Sequence, residues 1–321
     1  SITLDGDEDM QPDFIWGKRR NSSAAHELYD SVRGTTKYLI SNSTAAEDTN
    51  TNGISAFNSD GFTLAGNSSI NNGTIVAWCW KAGGSASSNS NGSITSSVSA
   101  NTTAGFSIVA YTGNETAGAT VGHGLGAVPQ TYWVKSRSVA DGWRIYHHKV
   151  ASDPETDYLV LNNNNANADS HGYWNDTAPT SSVFSLGPAG EVNTNSSTNI
   201  AYCFTEIKGY SKIGKYVGNA NADGPFVYTG FKPAWLMVKG DRADGWQIMD
   251  NKREGYNVIS PRLLANDTAS EYTNLTNCDF LSNGFKVRSN DSHMNYAEDY
   301  FYIAFAESPF VNSNGIPNNA R

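Results

Sequence analysis

The sequence predicts an all-β protein built from three tandem antiparallel β-sandwich units with a jelly-roll-like arrangement. Three observations predict this class. The chain repeats itself about every 100 residues, short runs of β-branched and aromatic residues alternate with turn residues, and few stretches have helical periodicity. The best helical candidate, residues 22–32, is short.

The repeat is clearest in one segment that occurs twice. Residues 129–143 read PQTYWVKSRSVADGW, and residues 233–246 read PAWLMVKGDRADGW. A weaker copy, residues 12–20, reads PDFIWGKRR and lacks the Asp-Gly-Trp ending. Because residue identity, order and spacing agree together, chance is a poor explanation, and one module is predicted to occur three times.

Each predicted unit ends in two strand-like runs of β-branched and aromatic residues. Such runs, bounded by Gly, Asn, Asp and Ser, are typical of β-strands. They lie at residues 60–64 and 76–80 in the first unit, 183–186 and 200–204 in the second, and 283–287 and 300–305 in the third.

The repeat divides the chain into unit 1 (residues 1–82), unit 2 (104–209) and unit 3 (210–308). Residues 83–103, GGSASSNSNGSITSSVSANTT, predict a Gly/Ser-rich linker, and residues 309–321 predict a polar tail that is disordered or straps onto a neighbouring subunit. Unit 1 lacks the Tyr-x-Gly-Asn strand found at 111–114 and 216–219, so it is predicted to be an N-terminally truncated unit. Units 2 and 3 are expected to pack rigidly, whereas unit 1 is expected to be offset from them.

Charge excludes several partner classes. The formal net charge is −9, and both nucleic acids and anionic membranes attract basic surfaces, so neither is expected as a partner. No apolar run is long enough for a transmembrane helix, so no membrane insertion is expected. The densest basic cluster, residues 18–20, is predicted to be a solvated strand edge.

The cysteines and histidines predict no metal site and no cofactor. Cys79 and Cys203 occupy equivalent positions in different units, so they are predicted to be buried free thiols, compatible with a reducing cytosol. His147 and His148 are neighbours on a predicted strand and point to opposite faces, so a structural role is favoured over metal binding. No metal-binding spacing, Walker loop or dinucleotide fingerprint is present.

The sequence predicts no catalytic residues, and the protein is therefore predicted not to be an enzyme. Glu206 and Glu307 recur after the last strand of units 2 and 3, but unit 1 has Ala82 there. A glycosidase needs two carboxylates in one cleft, whereas one glutamate per unit favours a hydrogen-bonding or capping role within the fold. No Gly-x-Ser-x-Gly nucleophile motif is present.

Trp143 and Trp246, which close the repeated segments, have two interpretations. They are the candidate carbohydrate-binding residues if each forms a sugar-stacking platform at the edge of its unit. The alternative is a core anchor, which is favoured because Trp is largely buried in proteins and Trp143 starts an alternating strand.

Several segments of the chain carry a resemblance to a known family. They include FNSDGFTL, VAWCWKAGG, TAGFSIVAYTGN, ATVGHGLGAVP, IAYCFTEIKGYSKIGKYVGN and YIAFAESPF. With these segments the sequence resembles a repeat found in virion structural and tail-fibre proteins of marine tailed phages, especially phages of cyanobacteria and other ocean bacteria. The resemblance covers essentially the whole chain, and such repeats often lie beside concanavalin-A-like lectin domains.

This resemblance implies a non-enzymatic virion protein, a tail fibre or appendage involved in host-surface attachment. A capsid decoration or spike protein is one alternative, and a polysaccharide depolymerase or glycosidase is a second. The implied partners are other virion proteins, a host-surface glycan or receptor, and further copies of the chain, with a trimer favoured. The implied location is the virion surface, after assembly in the host cytoplasm.

Overall fold

The computed structural model describes residues 1–306 other than 5, 7, 8 and 67, and the backbone of two short strands at 310–311 and 317–318. Strands account for 40% of the residues and helices for 5%, so the predicted all-β class is confirmed. The strands pair antiparallel in several sheets. Loops of different lengths and one-turn helices connect them, and the loops at 251–262 and 265–277 are the longer ones.

Unit 1 contains a five-stranded sheet and a hairpin. Its strands are β1 (Phe14–Arg19), β2 (Glu27–Asp30), β3 (Lys37–Ile40), β4 (Asp48–Thr49), β5 (Ile54–Phe57), β6 (Phe62–Leu64) and β7 (Ile75–Trp80), and a 3-10 turn spans Ser69–Asn71. The sheet order is β4-β3-β2-β1-β7, and β5 pairs with β6. Ile2 forms a further antiparallel bridge with Phe62.

Unit 2 and the segment before it contain an eight-stranded sheet and a two-stranded sheet. The strands are β8 (Ser87–Asn89), β9 (Ser96–Asn101), β10 (Phe106–Thr112), β11 (Ala119–Gly122), β12 (Thr131–Ser136), β13 (Arg144–His147), β14 (Asp157–Val160), β15 (Ala168–Asp169), β16 (Val183–Leu186) and β17 (Thr198–Phe204). Two short helices are α1 (His171–Trp174) and α2 (Gly190–Asn193). The large sheet has the order β15-β14-β13-β12-β17-β10-β9-β8, and β11 pairs with β16.

Unit 3 contains a five-stranded and a three-stranded sheet. Its elements are β18 (Ser211–Val217), β19 (Phe226–Tyr228), β20 (Pro233–Gly240), β21 (Gln247–Asp250), β22 (Leu263–Leu264), β23 (Cys278–Leu281), β24 (Gly284–Val287), α3 (Ser292–Asn295) and β25 (Asp299–Ala306). The sheet orders are β18-β25-β20-β21-β22 and β19-β24-β23.

The three large sheets share a central strand order. It is β2-β1-β7 in unit 1, β13-β12-β17-β10 in unit 2 and β21-β20-β25-β18 in unit 3. The registers correspond: Trp16 pairs with Trp78, Trp133 with Tyr202, and Met237 with Ile303. The sheet of unit 1 ends at β7, where the other two continue into β10 and β18.

Each large sheet is buried on both faces. In unit 2, one face packs on β11 and β16 through a cluster that includes Tyr132, Val121 and Phe184. Comparable clusters form in units 3 and 1. Burial on both faces explains the continuous apolar runs, such as Phe14-Ile15-Trp16, since every side chain in them needs a dry neighbour.

The other faces of the three large sheets meet in one shared core. Aromatic contacts link every pair of units. The ring centroids of Trp16 and Trp133 lie 5.9 Å apart, those of Trp80 and Trp235 5.4 Å, and those of Phe204 and Phe305 5.9 Å. Unit 1 is therefore packed against both other units, and the expectation that it is offset from them is wrong.

The Gly/Ser-rich segment at 83–103 differs from the predicted linker. It forms the hairpin β8–β9, and β9 pairs with β10 over five residues of each strand. Alternate residues Val98 and Ile94 are buried. The segment is therefore part of the large sheet of unit 2. The predicted tail, 309–321, lies outside the described residues except for the backbone of β26 (Phe310–Val311) and β27 (Pro317–Asn318), which pair with each other.

Candidate functional site

The two tryptophans that close the repeated segments lie between units. Trp143 is 0% exposed, and its Nε1 donates to the Ile40 carbonyl of unit 1 at 2.9 Å. Trp246 is 2% exposed, and its Nε1 donates to the Val160 carbonyl of unit 2 at 2.8 Å. A sugar-stacking platform needs an accessible ring face, and neither ring has one, so the sugar-binding interpretation does not fit these positions.

His26 occupies the equivalent position in unit 1. Like the two tryptophans, it directly precedes the second strand of its sheet, and its backbone N–H is held by an asparagine, Asn42, at 2.9 Å. Its Nδ1 accepts from Trp16 Nε1 at 2.9 Å. Burial lowers the pKa of His26 well below its usual value, while the nearby backbone of Leu264 in unit 3 acts in the opposite direction. The ring of Trp143 thus lies against unit 1, that of Trp246 against unit 2 and that of His26 against unit 3.

Three equivalent lysines lie next to the shared core. Lys18, Lys135 and Lys239 are each 0% exposed, and each Nζ donates to the carbonyl of the following residue at 2.7 Å. Lys18 also reaches Thr268 of unit 3, and Lys135 reaches Thr44 of unit 1, both at 3.3 Å. Burial lowers the pKa of each lysine to about 8. A nearby carboxylate opposes this shift in each case: Asp267 for Lys18, Asp141 for Lys135 and Asp244 for Lys239.

A buried charge network joins units 1 and 2. The Asp30 carboxylate accepts from Arg33 and, at 2.7 Å, from the Tyr202 hydroxyl of unit 2. Arg33 also contacts Glu47, which binds Arg137 of unit 2 through Nε at 2.8 Å and Nη2 at 3.0 Å. The network contains alternating charges and buried hydrogen bonds, which is the condition for retaining ions in a protein interior.

The same network recurs between units 3 and 1. Asp250 accepts from Arg253 Nε at 2.7 Å and from the Trp78 indole of unit 1 at 2.9 Å. Arg253 Nη1 donates to Glu271 at 2.8 Å, and Arg20 of unit 1 holds the same carboxylate with Nε and Nη2. The prediction that residues 18–20 form a solvated edge is therefore wrong, because the side chains of Lys18 and Arg20 contact unit 3.

The contact between units 2 and 3 replaces this network with uncharged groups. His147 stands where the other contacts have Asp30 and Asp250, and Val150 stands where they have arginine. The His147 ring lies 5.5 Å from Phe301, and burial together with the neighbouring His148 lowers its pKa to about 3. The histidine pair thus has the structural role that the sequence predicted.

Other sequence candidates also have structural roles. Glu206 accepts from Lys212 Nζ at 2.8 Å and from the Ile213 backbone at 2.9 Å, which is the predicted hydrogen-bonding role, and Glu307 lies outside the described residues. Cys79, Cys203 and Cys278 are free thiols; Cys203 is buried as predicted, whereas Cys79 is only half-buried. Burial raises the pKa of Cys79 to about 12, so this thiol stays protonated near neutral pH.

Surface depressions offer little convergent chemistry. A depression of about 390 Å³ is lined by polar groups that include Gln11, Asp13 and Asn101, without an aromatic side chain. A second of about 270 Å³ lies beside the exposed Tyr256. Among the described residues, no group of three or more His, Cys, Asp or Glu side chains could hold a metal ion. Within the same part of the chain, no helix has the length and apolarity to cross a membrane.

A comparison with protein-family models identifies the family of this chain. Residues 6–309 match the family described as a domain of unknown function, DUF7483. The chain belongs to this family. Searches of curated proteins and of solved structures found no significant match.

Sequence reasoning missed most of the residues that join the units. It did not identify His26, although His26-Glu-Leu-Tyr-Asp30 aligns with Trp143-Arg-Ile-Tyr-His147. It also assigned no shared buried role to the three lysines, although they occupy the same position in all three copies of the repeated segment. A full alignment of the three units contains both signals.

Proposed function

We propose that the chain consists of three copies of one jelly-roll-like antiparallel β-sandwich unit, closed around a common core. We further propose that it serves as a non-enzymatic structural protein of a phage particle. Its role in that proposal is a tail fibre or appendage that presents loops to a host-surface glycan or receptor. The resemblance to virion proteins of marine tailed phages supplies the biological setting.

The observation that carries the proposal is where the recurring residues lie. The equivalents at the His26, Lys18 and Asp30 positions are buried at or beside contacts between units. Recurring residues that hold the units together are expected in a structural scaffold. Rigid β-scaffolds with long polar loops are well suited to binding, because the loops vary while the scaffold holds their positions.

Labelling of intact particles tests the location. Antibodies raised against the purified chain and carrying gold are expected to label tail fibres of the phage that encodes it in electron micrographs. Label on the capsid would favour the decoration alternative. A virion role would be contradicted if intact particles stay unlabelled and the protein is also absent from detergent-disrupted particles.

Adsorption competition tests the attachment role. An excess of purified chain is expected to slow adsorption of the phage to its host, with heat-unfolded chain as the control. Release of reducing sugar from host polysaccharide by the purified chain would contradict the non-enzymatic assignment and favour the depolymerase alternative.

Assembly into a homotrimer remains part of the proposal. Three units inside one chain already surround one core, so a trimer of chains has to use other surfaces. Mass photometry of the purified chain measures this directly: a trimer has three times the 34.6 kDa mass of one chain.

A further inference from the structure

Strand β7 forms an open sheet edge in unit 1. The equivalent strands of units 2 and 3 have a further neighbouring strand on that side. In unit 2, β17 has β12 on one side and β10 on the other, and in unit 3, β25 lies between β20 and β18. Strand β7 is the counterpart of β17 and β25, and among the described residues it pairs only with β1. One strand position is therefore open in unit 1.

The open edge leaves apolar side chains half-buried. Val76, Ala77 and Cys79 on β7 are each of intermediate exposure. Their counterparts in unit 2 are fully buried, at 0% exposure, and are Ile200, Ala201 and Cys203. The difference coincides with the missing neighbour strand.

The sequence of β7 does not protect this edge. Exposed edge strands of soluble proteins usually carry charges, proline or a bulge that prevents pairing with another strand. β7 reads IVAWCW, with no charge and no proline, and it pairs with β1 in unbroken register. Edge strand β18, in contrast, carries Lys212 and Lys215. An unprotected apolar edge is expected to be covered by another strand.

The equivalent strands define which side chains fit there. Ile108 of β10 lies opposite Tyr202, and Ile213 of β18 lies opposite Ile303, both facing the shared core. Trp78 is the counterpart of Tyr202 and Ile303, so an aliphatic residue fits opposite it.

A tyrosine marks the end of each equivalent strand. The Tyr111 hydroxyl donates to the Val192 carbonyl at 2.7 Å, and the Tyr216 hydroxyl donates to the Met294 carbonyl at 2.6 Å. Both acceptors directly precede an asparagine in a short helix. Ile70 holds this position in unit 1, since it directly precedes Asn71 in the 3-10 turn.

The asparagine holds the segment that follows the tyrosine. Asn193 Oδ1 accepts from the Asn114 backbone at 3.0 Å, and Asn295 Oδ1 accepts from the Asn219 backbone at 2.7 Å. Asn71 is positioned in the same way, because the Nδ2 of all three donates to a carbonyl of the preceding turn. The other two are 0% exposed, whereas Asn71 is exposed.

We propose that the open edge of β7 binds one further antiparallel β-strand, which none of the described residues supplies. The donor carries an aliphatic residue opposite Trp78 and a tyrosine opposite Ile75, followed by x-Gly-Asn. The two Tyr-x-Gly-Asn segments of this chain are already paired within their own sheets, so neither is free to fill the site. Strand addition to a sheet edge is a general mode of peptide recognition, and this inference does not depend on the proposed function.

A peptide taken from the chain itself tests the site. The labelled peptide GYSKIGKYVGN, residues 209–219, is added to the full chain, and fluorescence anisotropy and hydrogen exchange are measured. Saturable binding at one peptide per chain and slower exchange of amides 75–80 are expected. A control peptide with Ile213→Asp and Tyr216→Asp is expected to do neither. Equal binding of the two peptides would overturn the proposal.

A variant tests the asparagine contact. Asn71→Ala removes one acceptor from the site, and a lost hydrogen bond of ordinary strength weakens binding about fivefold. The control Asn164→Ala changes another exposed asparagine, and it is expected to leave binding unchanged. Asn71→Ala with unchanged affinity and an unchanged circular dichroism spectrum would refute the assigned role of this residue in the site.

Fusion of the peptide to the chain removes the limit set by weak affinity. A flexible linker before Ser1 raises the effective peptide concentration, so β7 amides are expected to become protected and the melting temperature to rise. No protection in the fusion would overturn the proposal. Protection of β7 that increases with chain concentration in the absence of peptide would also overturn it, because a second copy would then be the partner.

Discussion

Exchange of a buried ion pair for the uncharged pair used elsewhere in the chain gives the sharpest test of the inter-unit contacts. The variants are Asp250→His, Arg253→Val and the double variant, which reproduces the arrangement of His147 and Val150. The side chains of Asp250 and Arg253 are only 3% and 2% exposed, so solvent screens their interaction weakly.

The single variant Asp250→His is expected to lower the free energy of unfolding by about 3–5 kcal/mol, the usual result of leaving one member of a buried pair uncompensated. It removes the carboxylate bound to Arg253 Nε at 2.7 Å and to Trp78 Nε1 at 2.9 Å. Arg253 keeps its contact with Glu271 at 2.8 Å, which places the expected loss towards the lower value. The free energy of unfolding of the double variant is expected to be about 2 kcal/mol higher than that of Asp250→His, because no arginine then remains buried without its aspartate.

Urea unfolding followed by circular dichroism and tryptophan fluorescence measures these free energies, provided that the two transitions coincide. Lys215→Ala is the control, since Lys215 and Asp299 are a surface pair that are 42% and 31% exposed, and its effect is expected within about 0.5 kcal/mol. If the double variant loses as much as the two single variants added together, the assigned interaction between Asp250 and Arg253 is refuted.

Three further predictions follow from the same contacts. The pKa of His147 is about 3 in the fold and about 6.5 unfolded, so its contribution to stability is complete above pH 6.5 and decreases as the pH falls towards 3. At pH 5 this lowers the free energy of unfolding by about 2 kcal/mol. The variant His147→Asn is therefore expected to weaken the pH dependence of urea unfolding. The control His171→Gln, which changes an exposed histidine, is expected to preserve it. Trp246→Phe leaves the Val160 carbonyl without its 2.8 Å donor and is expected to cost about 1–3 kcal/mol, measured by the same unfolding assay. The isolated fragment 83–209 keeps β8 and β9 in its sheet but exposes the apolar face that it shares with the other units, so it is expected to bind a hydrophobic dye and to lack a cooperative thermal transition; a cooperatively folded fragment would contradict the importance of the shared core.

The sequence predicted local structure well because strand signals are local. The strand runs at 76–80, 200–204 and 300–305 lie within β7, β17 and β25, where β-branched and aromatic residues fill a buried sheet. The equivalent position and burial of Cys203 followed from the repeat alone. These features depend on neighbours in sequence or on the alignment of one unit with the next.

The arrangement of the units was harder to predict, because side-chain alternation shows which face of a strand a residue lies on but not what that face meets. The run Phe14-Ile15-Trp16 contains the relevant signal, since consecutive apolar residues indicate burial on both faces. Composition was misleading at 83–103, where serine and glycine suggested a flexible connection. The alternation of Ile94 and Val98 predicts the observed strand better than the average composition does.

The role of Trp143 could be narrowed from the sequence but not decided. A tryptophan after Asp-Gly fits both a surface ring and a buried ring, and the choice depends on an acceptor, the Ile40 carbonyl, that lies about 100 residues earlier in the chain. Contacts of such sequence separation leave no local pattern when one partner is a backbone group.

Closure of three similar units within one polypeptide has a consequence for how the molecule can diversify. In an assembly of identical subunits, every substitution appears three times, so all faces change together. Here each face has its own codons, and the boundary at His147 differs from the charged form present at Asp30 and Asp250. One molecule can therefore acquire three different exteriors while its interior preserves a common geometry.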